Sequence, residues 1–321
     1  MIETLERIAI AATVAVAVLG AVEDWKTDAP SVAQDYYVQT VTGGPLEEKY
    51  TAMGDYEVAY AEYPAADLLS VGRYEIWYPE AMAEQDRTWP VVMMCNGTGV
   101  AASRYTPIFE HLASWGFVVV GNEQQNSWSG ADADAGIELL EDLNENPSTV
   151  FYHKLDLERV GAAGHSQGAI GAINAVTTQD NGFRYKALYT ASTPSSLYAQ
   201  TLNWAYDVSQ IRIPYLMAAG TGLLDAGGGG TDEVAQQAQE LSISPLWSQE
   251  ENYKNIPDAI PKVRARRMGA DHAEMLPWAD GYMTAWFMYW LQGDAQAGEA
   301  FFDPDAELAH NPYWQDVEKN I

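Results

Sequence analysis

The chain holds one cysteine, Cys95, in 321 residues, which excludes an intramolecular disulfide and any site built from several thiolates. Basic residues are also scarce: 17 Lys and Arg stand against 45 Asp and Glu, a formal charge of −28. A field of that sign repels phosphate backbones and anionic lipid surfaces, so nucleic-acid binding is not expected. No His-Glu-x-x-His, Cys-x-x-Cys or EF-hand loop occurs, so no catalytic metal is implied. The glycine run at 227–230 lacks the lysine of a phosphate loop and reads as a flexible connection, and no cofactor is expected. Internal repeats are absent. No uncharged apolar run reaches the roughly 20 residues of a confident membrane span.

One shorter run, Ile8 to Val22, has no charge. It suits the apolar core of a secretory signal or a membrane anchor, with Leu19-Gly20-Ala21 as a weak cleavage site. The flank MIETLER carries Glu3 and Glu6 against Arg7 and lacks the positive excess of such segments, and the other reading is a buried N-terminal helix. The expectation is an apolar segment over 1–25 and a secreted or membrane-anchored extracellular protein, with a cytoplasmic one as the alternative.

The remainder is rich enough in apolar residues, 47% overall, to build a core. Tyr56 to Tyr60 and Arg73 to Tyr78 have strand character. Pro90 to Cys95 (PVVMMC) and Phe117 to Val120 (FVVV) are continuous apolar runs, as strands buried on both faces require. Further strands are expected at Arg159–Ala163, Ala187–Thr190, Pro214–Ala218 and Val263–Met268. Helical spacing fills the intervals at Tyr105–Trp115, Asp132–Leu143, Gln167–Val176, Glu233–Leu241 and Tyr282–Leu291. Alternating strands and helices predict an α/β fold, a mostly parallel central sheet with helices on both faces. One domain over 26–321 is expected, with 242–261 as an irregular lid or surface insertion. The basic cluster Lys262, Arg264, Arg266 and Arg267 reads as a solvated strand face.

Gly164-His165-Ser166-Gln167-Gly168 matches Gly-x-Ser-x-Gly and lies between a predicted strand and a predicted helix. That context suits a serine held on a sharp strand-to-helix turn, a nucleophile elbow, with small residues on both sides. A serine hydroxyl needs a neighbouring base. Of the five histidines, only His272 follows a late strand and precedes a helix, the place that the order Ser…Asp/Glu…His assigns to the base. His165 abuts Ser166 and is expected to point elsewhere. The acid should follow the strand 214–218; Asp225 is nearest to its end, with Asp232 as the alternative. Asp271 reads as a turn residue. An oxyanion hole would take one backbone N–H from Gln167 and a second from the loop Asn96-Gly97-Thr98-Gly99, with Thr98 preferred and Gly97 or Gly99 as alternatives.

With these residues the chain resembles the α/β-hydrolases. More narrowly, it resembles bacterial cutinases and polyester hydrolases and their chlorophyllase-like and dienelactone-hydrolase-like relatives, over roughly residues 88–293. Asn96-Gly97-Thr98-Gly99 stands where the group has a Pro-Gly-aromatic oxyanion loop, and residues 111–119 and 156–168 are similar to its strand-and-turn segments. The resemblance implies an α/β-hydrolase fold and carboxylic-ester hydrolysis through an acyl-enzyme, on a small or polymeric ester. Thr98 replaces the aromatic residue that clamps polyester, and Gln167 replaces a residue that is usually Met. Acyl transfer or peptide cleavage on the same machinery, or a binding module without turnover, are the alternatives.

Overall fold

The computed structural model describes residues 31–65, 71–228, 231, 233–302 and 304–321. The apolar run at 8–22 and Asp232 lie outside the described residues. Among the described residues no helix is long and apolar enough to cross a membrane.

The strands, numbered in chain order, are β1 Val58–Pro64, β2 Arg73–Pro79, β3 Trp89–Cys95, β4 Val118–Asn122, β5 Leu155–His165, β6 Tyr185–Ala191, β7 Tyr215–Gly220, β8 Lys262–Arg267 and β9 Trp314–Lys319. They form one sheet in the order β1-β2-β4-β3-β5-β6-β7-β8-β9. The six strands from β4 to β8 in that order run parallel, and the edge partners β1, β2 and β9 pair antiparallel. Among the described residues the helices of seven residues or more are α1 Pro45–Thr51, α2 Thr106–Ser114, α3 Ala131–Glu145, α4 Gln167–Thr177, α5 Ser196–Leu202, α6 Glu233–Glu240, α7 Leu246–Asn255 and α8 Asp280–Phe287.

The apolar runs explain the two covered faces. Successive residues of a strand point to opposite sides, so a strand buried on both sides must be apolar at every position. In β3, Val92 and Met94 pack with Ile108, Phe109 and Leu112 of α2 and with Trp286 and Phe287 of α8. Val91, Met93 and Cys95 pack on the other face with Ile137 and Leu140 of α3 and Ile173 of α4. Burying one such side chain stabilises the fold by about 1.5–3 kcal/mol. The α/β architecture expected from the sequence is the one observed.

Several local expectations are corrected. The first strand begins at Val58 and runs to Pro64, displaced toward the C-terminus from Tyr56–Tyr60. Residues 246–255, within the stretch expected to be irregular, form α7. Tyr253 of α7 and Ile256 join the core cluster on the α3 side, so this part of 242–261 is packed structure rather than a loose lid. The basic cluster is no solvated face. Lys262, Arg264 and Arg267 are buried because α7 covers β8 and β9 closes its edge. Lys262 Nζ donates to the carbonyls of Tyr253 (2.9 Å) and Ile256 (2.7 Å). Arg264 donates to Glu318 (2.9 Å) and Arg266 to Asp316 (2.8 Å), both on β9. The Arg267 guanidinium lies 4.9 Å from the Tyr313 ring centre and 5.6 Å from that of Trp278.

A second buried ionic group ties α8 to α2 and to residues ahead of the sheet. Asp280 accepts from Tyr36 Oη (2.6 Å) and from His111 Nδ1 (2.7 Å), and His111 Nε2 donates to the Ala52 carbonyl (2.8 Å). Burial alone would push the His111 pKa down, but the Asp280 carboxylate and the carbonyls of Ala52 and Thr51 outweigh it and the net shift is upward. The native state therefore holds a proton that the unfolded chain releases, and the pair's contribution is full below pH 6.5 and declines as pH rises through the raised value. Asp280→Asn should lower stability at pH 6 by about 3–5 kcal/mol, the usual cost of breaking a buried pair. In urea melts from pH 6 to 9 the gap to wild type should narrow with rising pH. A constant or widening gap contradicts the assignment.

Candidate active site

Ser166 sits between the end of β5 and the first residue of α4, with φ 57° and ψ −126°. This region is sparsely populated by L-residues and costs about 1–3 kcal/mol unless neighbours enforce it. Here they do. A Cβ on Gly164 would lie 2.1 Å from the Gly168 carbonyl oxygen, and a Cβ on Gly168 would lie 2.0 Å from that of Cys95. Only glycine permits these approaches. The Ser166 N–H donates to the Ala191 carbonyl at the end of β6 (3.0 Å), which leaves the side chain to project from the turn.

The structure brings Ser166, His272 and Asp225 together from three strand ends. Ser166 Oγ is 2.8 Å from His272 Nε2, and His272 Nδ1 is 2.6 Å from Asp225 Oδ1. A carboxylate only accepts, so Nδ1 carries the proton, Nε2 is an acceptor, and the serine hydroxyl donates to it. Asp225 is fully buried, while the His272 side chain retains 12% exposure. The second oxygen of Asp225 accepts from Ser192 Oγ and from the Gly220 N–H (2.8 Å). Burial works to raise the Asp225 pKa, but His272, Ser192 and Gly220 together bring it below the ordinary carboxylate value. The group is therefore an ion inside the protein.

The loop after β3 meets the elbow through Gly97, where a Cβ would lie 3.0 Å from Tyr105 Oη and 3.4 Å from His165 Nδ1. Gly97 N–H donates to Tyr105 Oη (3.0 Å) and Gly99 N–H to the Gln125 carbonyl (3.1 Å). Among the described residues no acceptor meets the N–H of Thr98, nor that of Gln167 at the first position of α4. Gly97 and Gly99 are thus engaged, whereas the amides of Thr98 and of Gln167, the residue after Ser166, are not. Asn96 fixes the loop from below, its amide donating to the carbonyls of Asn122 (2.7 Å) and Gln124 (2.9 Å). Asn122 in turn donates to Asp132 (3.0 Å), which also accepts from Ser127 Oγ (2.8 Å).

Comparison with known proteins follows the same elements. A family model described as Chlorophyllase matches residues 79–191, which span β3 to β6 with the loop at 96–99 and the elbow. Chlorophyllases are a family of the α/β-hydrolase superfamily. The protein is a hydrolase of the α/β type. The match covers less than half of the chain and stops short of Asp225 and His272. No curated protein matches the hydrolase.

Three residues around the site escape sequence reasoning. Ser192 follows a strand with no motif to mark it, and Tyr105 reads as an ordinary helix-start aromatic. His165 does not simply point away. Its Nε2 donates to the His272 carbonyl (2.8 Å), and the two rings meet at a tilt of 46° with centres 4.7 Å apart. Its place inside the elbow motif was the available signal, but the partner lies on a loop that only the fold brings near.

Burial first, and then the nearby His272, lower the His165 pKa from 6.5 to about 3, so its ring stays neutral in the folded hydrolase. Unfolding takes up a proton below pH 6.5, and the ring's contribution to stability is full above that value and declines as pH falls toward 3. His165→Phe, which removes the bond to His272, should cost about 1–3 kcal/mol at pH 7. The deficit should close between pH 6 and 4 in urea melts, and a deficit that grows on acidification argues against a buried neutral ring.

Proposed function

We propose that the hydrolase cleaves carboxylic esters through an acyl-enzyme, with Ser166, His272 and Asp225 as the catalytic triad. The observation that carries this reading is the unbroken relay Asp225–His272–Ser166, at 2.6 Å and 2.8 Å, ending on a strained elbow serine.

Ser166 Oγ attacks the ester carbonyl carbon while His272 Nε2 takes the hydroxyl proton. The imidazolium formed is stabilised by Asp225, whose charge is already in place and already solvated by Ser192 and the Gly220 N–H. The carbonyl oxygen becomes an oxyanion, and the amides of Thr98 and Gln167 are the donors proposed to receive it. His272 then returns the proton to the leaving alkoxide, and the alcohol departs. Water enters along the same path, loses a proton to His272, attacks the acyl carbon, and the acid leaves as Ser166 is reprotonated. The deep burial of Asp225 suits this cycle, since an electrostatic partner shielded from water acts more strongly on the histidine.

Fluorophosphonate labelling followed by peptide mass spectrometry tests the assignment. Stoichiometric modification of Ser166 is expected, and it should be lost in Ser166→Ala and His272→Ala. Asp225→Asn, which removes the charge and favours the wrong imidazole tautomer, should lower kcat on a p-nitrophenyl ester by about 10⁴-fold. A folded wild type that neither labels nor turns over esters of short, medium and long acyl chains would refute the proposal.

A further inference from the structure

We propose that Asp271 is a positioning residue for the reaction, one carboxylate that caps both turns carrying the acid and the base. The inference rests on the reading of Ser166, His272 and Asp225 as a triad.

Asp225 lies in the short helical turn Leu223–Ala226, and His272 opens the turn His272–Glu274. Each turn begins with backbone amides that have no partner within the turn and that a side chain at the preceding position ordinarily satisfies. The residue preceding the first turn is Gly222, which has no side chain to offer. Asp271 fills that role from the other loop: its Oδ1 accepts the N–H of Leu224 (2.8 Å) and of Asp225 (3.1 Å). The same oxygen accepts the N–H of His272 (2.8 Å), capping its own turn. Glu274 reaches back to the Asp271 N–H (2.8 Å), which holds the carboxylate in place.

A residue serving only its own turn would need only the bonds to His272 and Glu274. The two further bonds cross to a segment 46 and 47 residues away. They engage the backbone of the acid itself. Other bonds join the loops nearby: the Ala270 carbonyl accepts from Thr221 (2.9 Å) and Gly222 (2.8 Å), and Gly269 N–H donates to Thr221 Oγ1 (2.8 Å). Those tethers end before either turn begins. Among the described residues Asp271 alone grips both amides, Asp225 and His272, whose side chains must meet at 2.6 Å. None of its bonds goes to Ser166, Thr98 or Gln167. Its loss should therefore disturb the chemical step and leave substrate binding intact.

The test compares full-length wild type with Asp271→Ala, Asp271→Asn and Asp271→Glu. Each is read by kcat and KM on p-nitrophenyl butyrate and by the low-field proton NMR signal of His272 Nδ1–H bonded to Asp225. Asp271→Ala should lower kcat by about 10–100-fold, the scale of a displacement near 1 Å. Its KM should stay within about twofold, the pattern of an interaction that matters in the transition state. The low-field signal should broaden or move. Asp271→Asn keeps one acceptor oxygen and should recover most of kcat and the wild-type signal. Should Asp271→Ala not fold, Asp271→Glu, which displaces the carboxylate by one methylene, should show the same kcat loss and signal change. Unchanged kcat and signal in a folded Ala or Glu variant overturn the proposal, as does a loss confined to KM. If the wild type neither turns over esters nor takes up fluorophosphonate, the triad reading fails. The NMR signal of the resting protein then still reports whether Asp271 holds the Asp225–His272 pair.

Discussion

Everything at this site depends on holding Ser166 in a backbone conformation that an L-residue avoids. The strain of about 1–3 kcal/mol is stable only if the surroundings leave the chain nowhere else to go. Three pieces of backbone do this. The end of β6 takes the serine N–H, the start of α4 presses against Gly164, and the end of β3 presses against Gly168. The last contact has a further role. It sets Cys95 and Asn96, where the 96–99 loop begins, against the first turn of α4, so that the loop and the serine share one frame.

Polar groups beneath that frame are arranged to stay in one protonation state. His165 is kept neutral by burial, Asp225 is kept ionised by its partners, and Asn96 holds its loop with an uncharged amide. The relay itself thus carries a single charge in the resting site, the Asp225 carboxylate. Elsewhere burial has the opposite outcome. Glu75, pressed against Glu123, is raised to about 7, with burial as the main cause and the second carboxyl adding to it.

The fold was legible where both faces of a strand had to be apolar. PVVMMC and FVVV admit no amphipathic alternative, and the small residues flanking Gly-x-Ser-x-Gly announce a tight strand–helix turn. Chain order separated His272 from four other histidines. The edge strand β9 was not legible. Strand β9, WQDVEK, has polar residues because it meets the basic side chains of β8, so its pattern makes sense only beside that strand. For the same reason the basic residues of β8 looked solvated. Helix α7 buries Tyr253 and little else of large apolar character, so its pattern is weak. Ser192 and the crossing bond of His165 were invisible for a different reason, since each is defined by a partner that the chain reaches only after folding.

The elbow is braced by main chain on main chain, and this bears on how the molecule tolerates variation. Carbonyl oxygens pressing on glycine α-carbons are indifferent to the identity of surrounding side chains. Exposed side chains, such as Leu223 and Leu224 just ahead of Asp225 in the chain, can therefore diversify without loosening the nucleophile. A library built on this scaffold has its freedom at the mouth and its rigidity at the floor, and a single methyl group at Gly164 or Gly168 separates the two regimes.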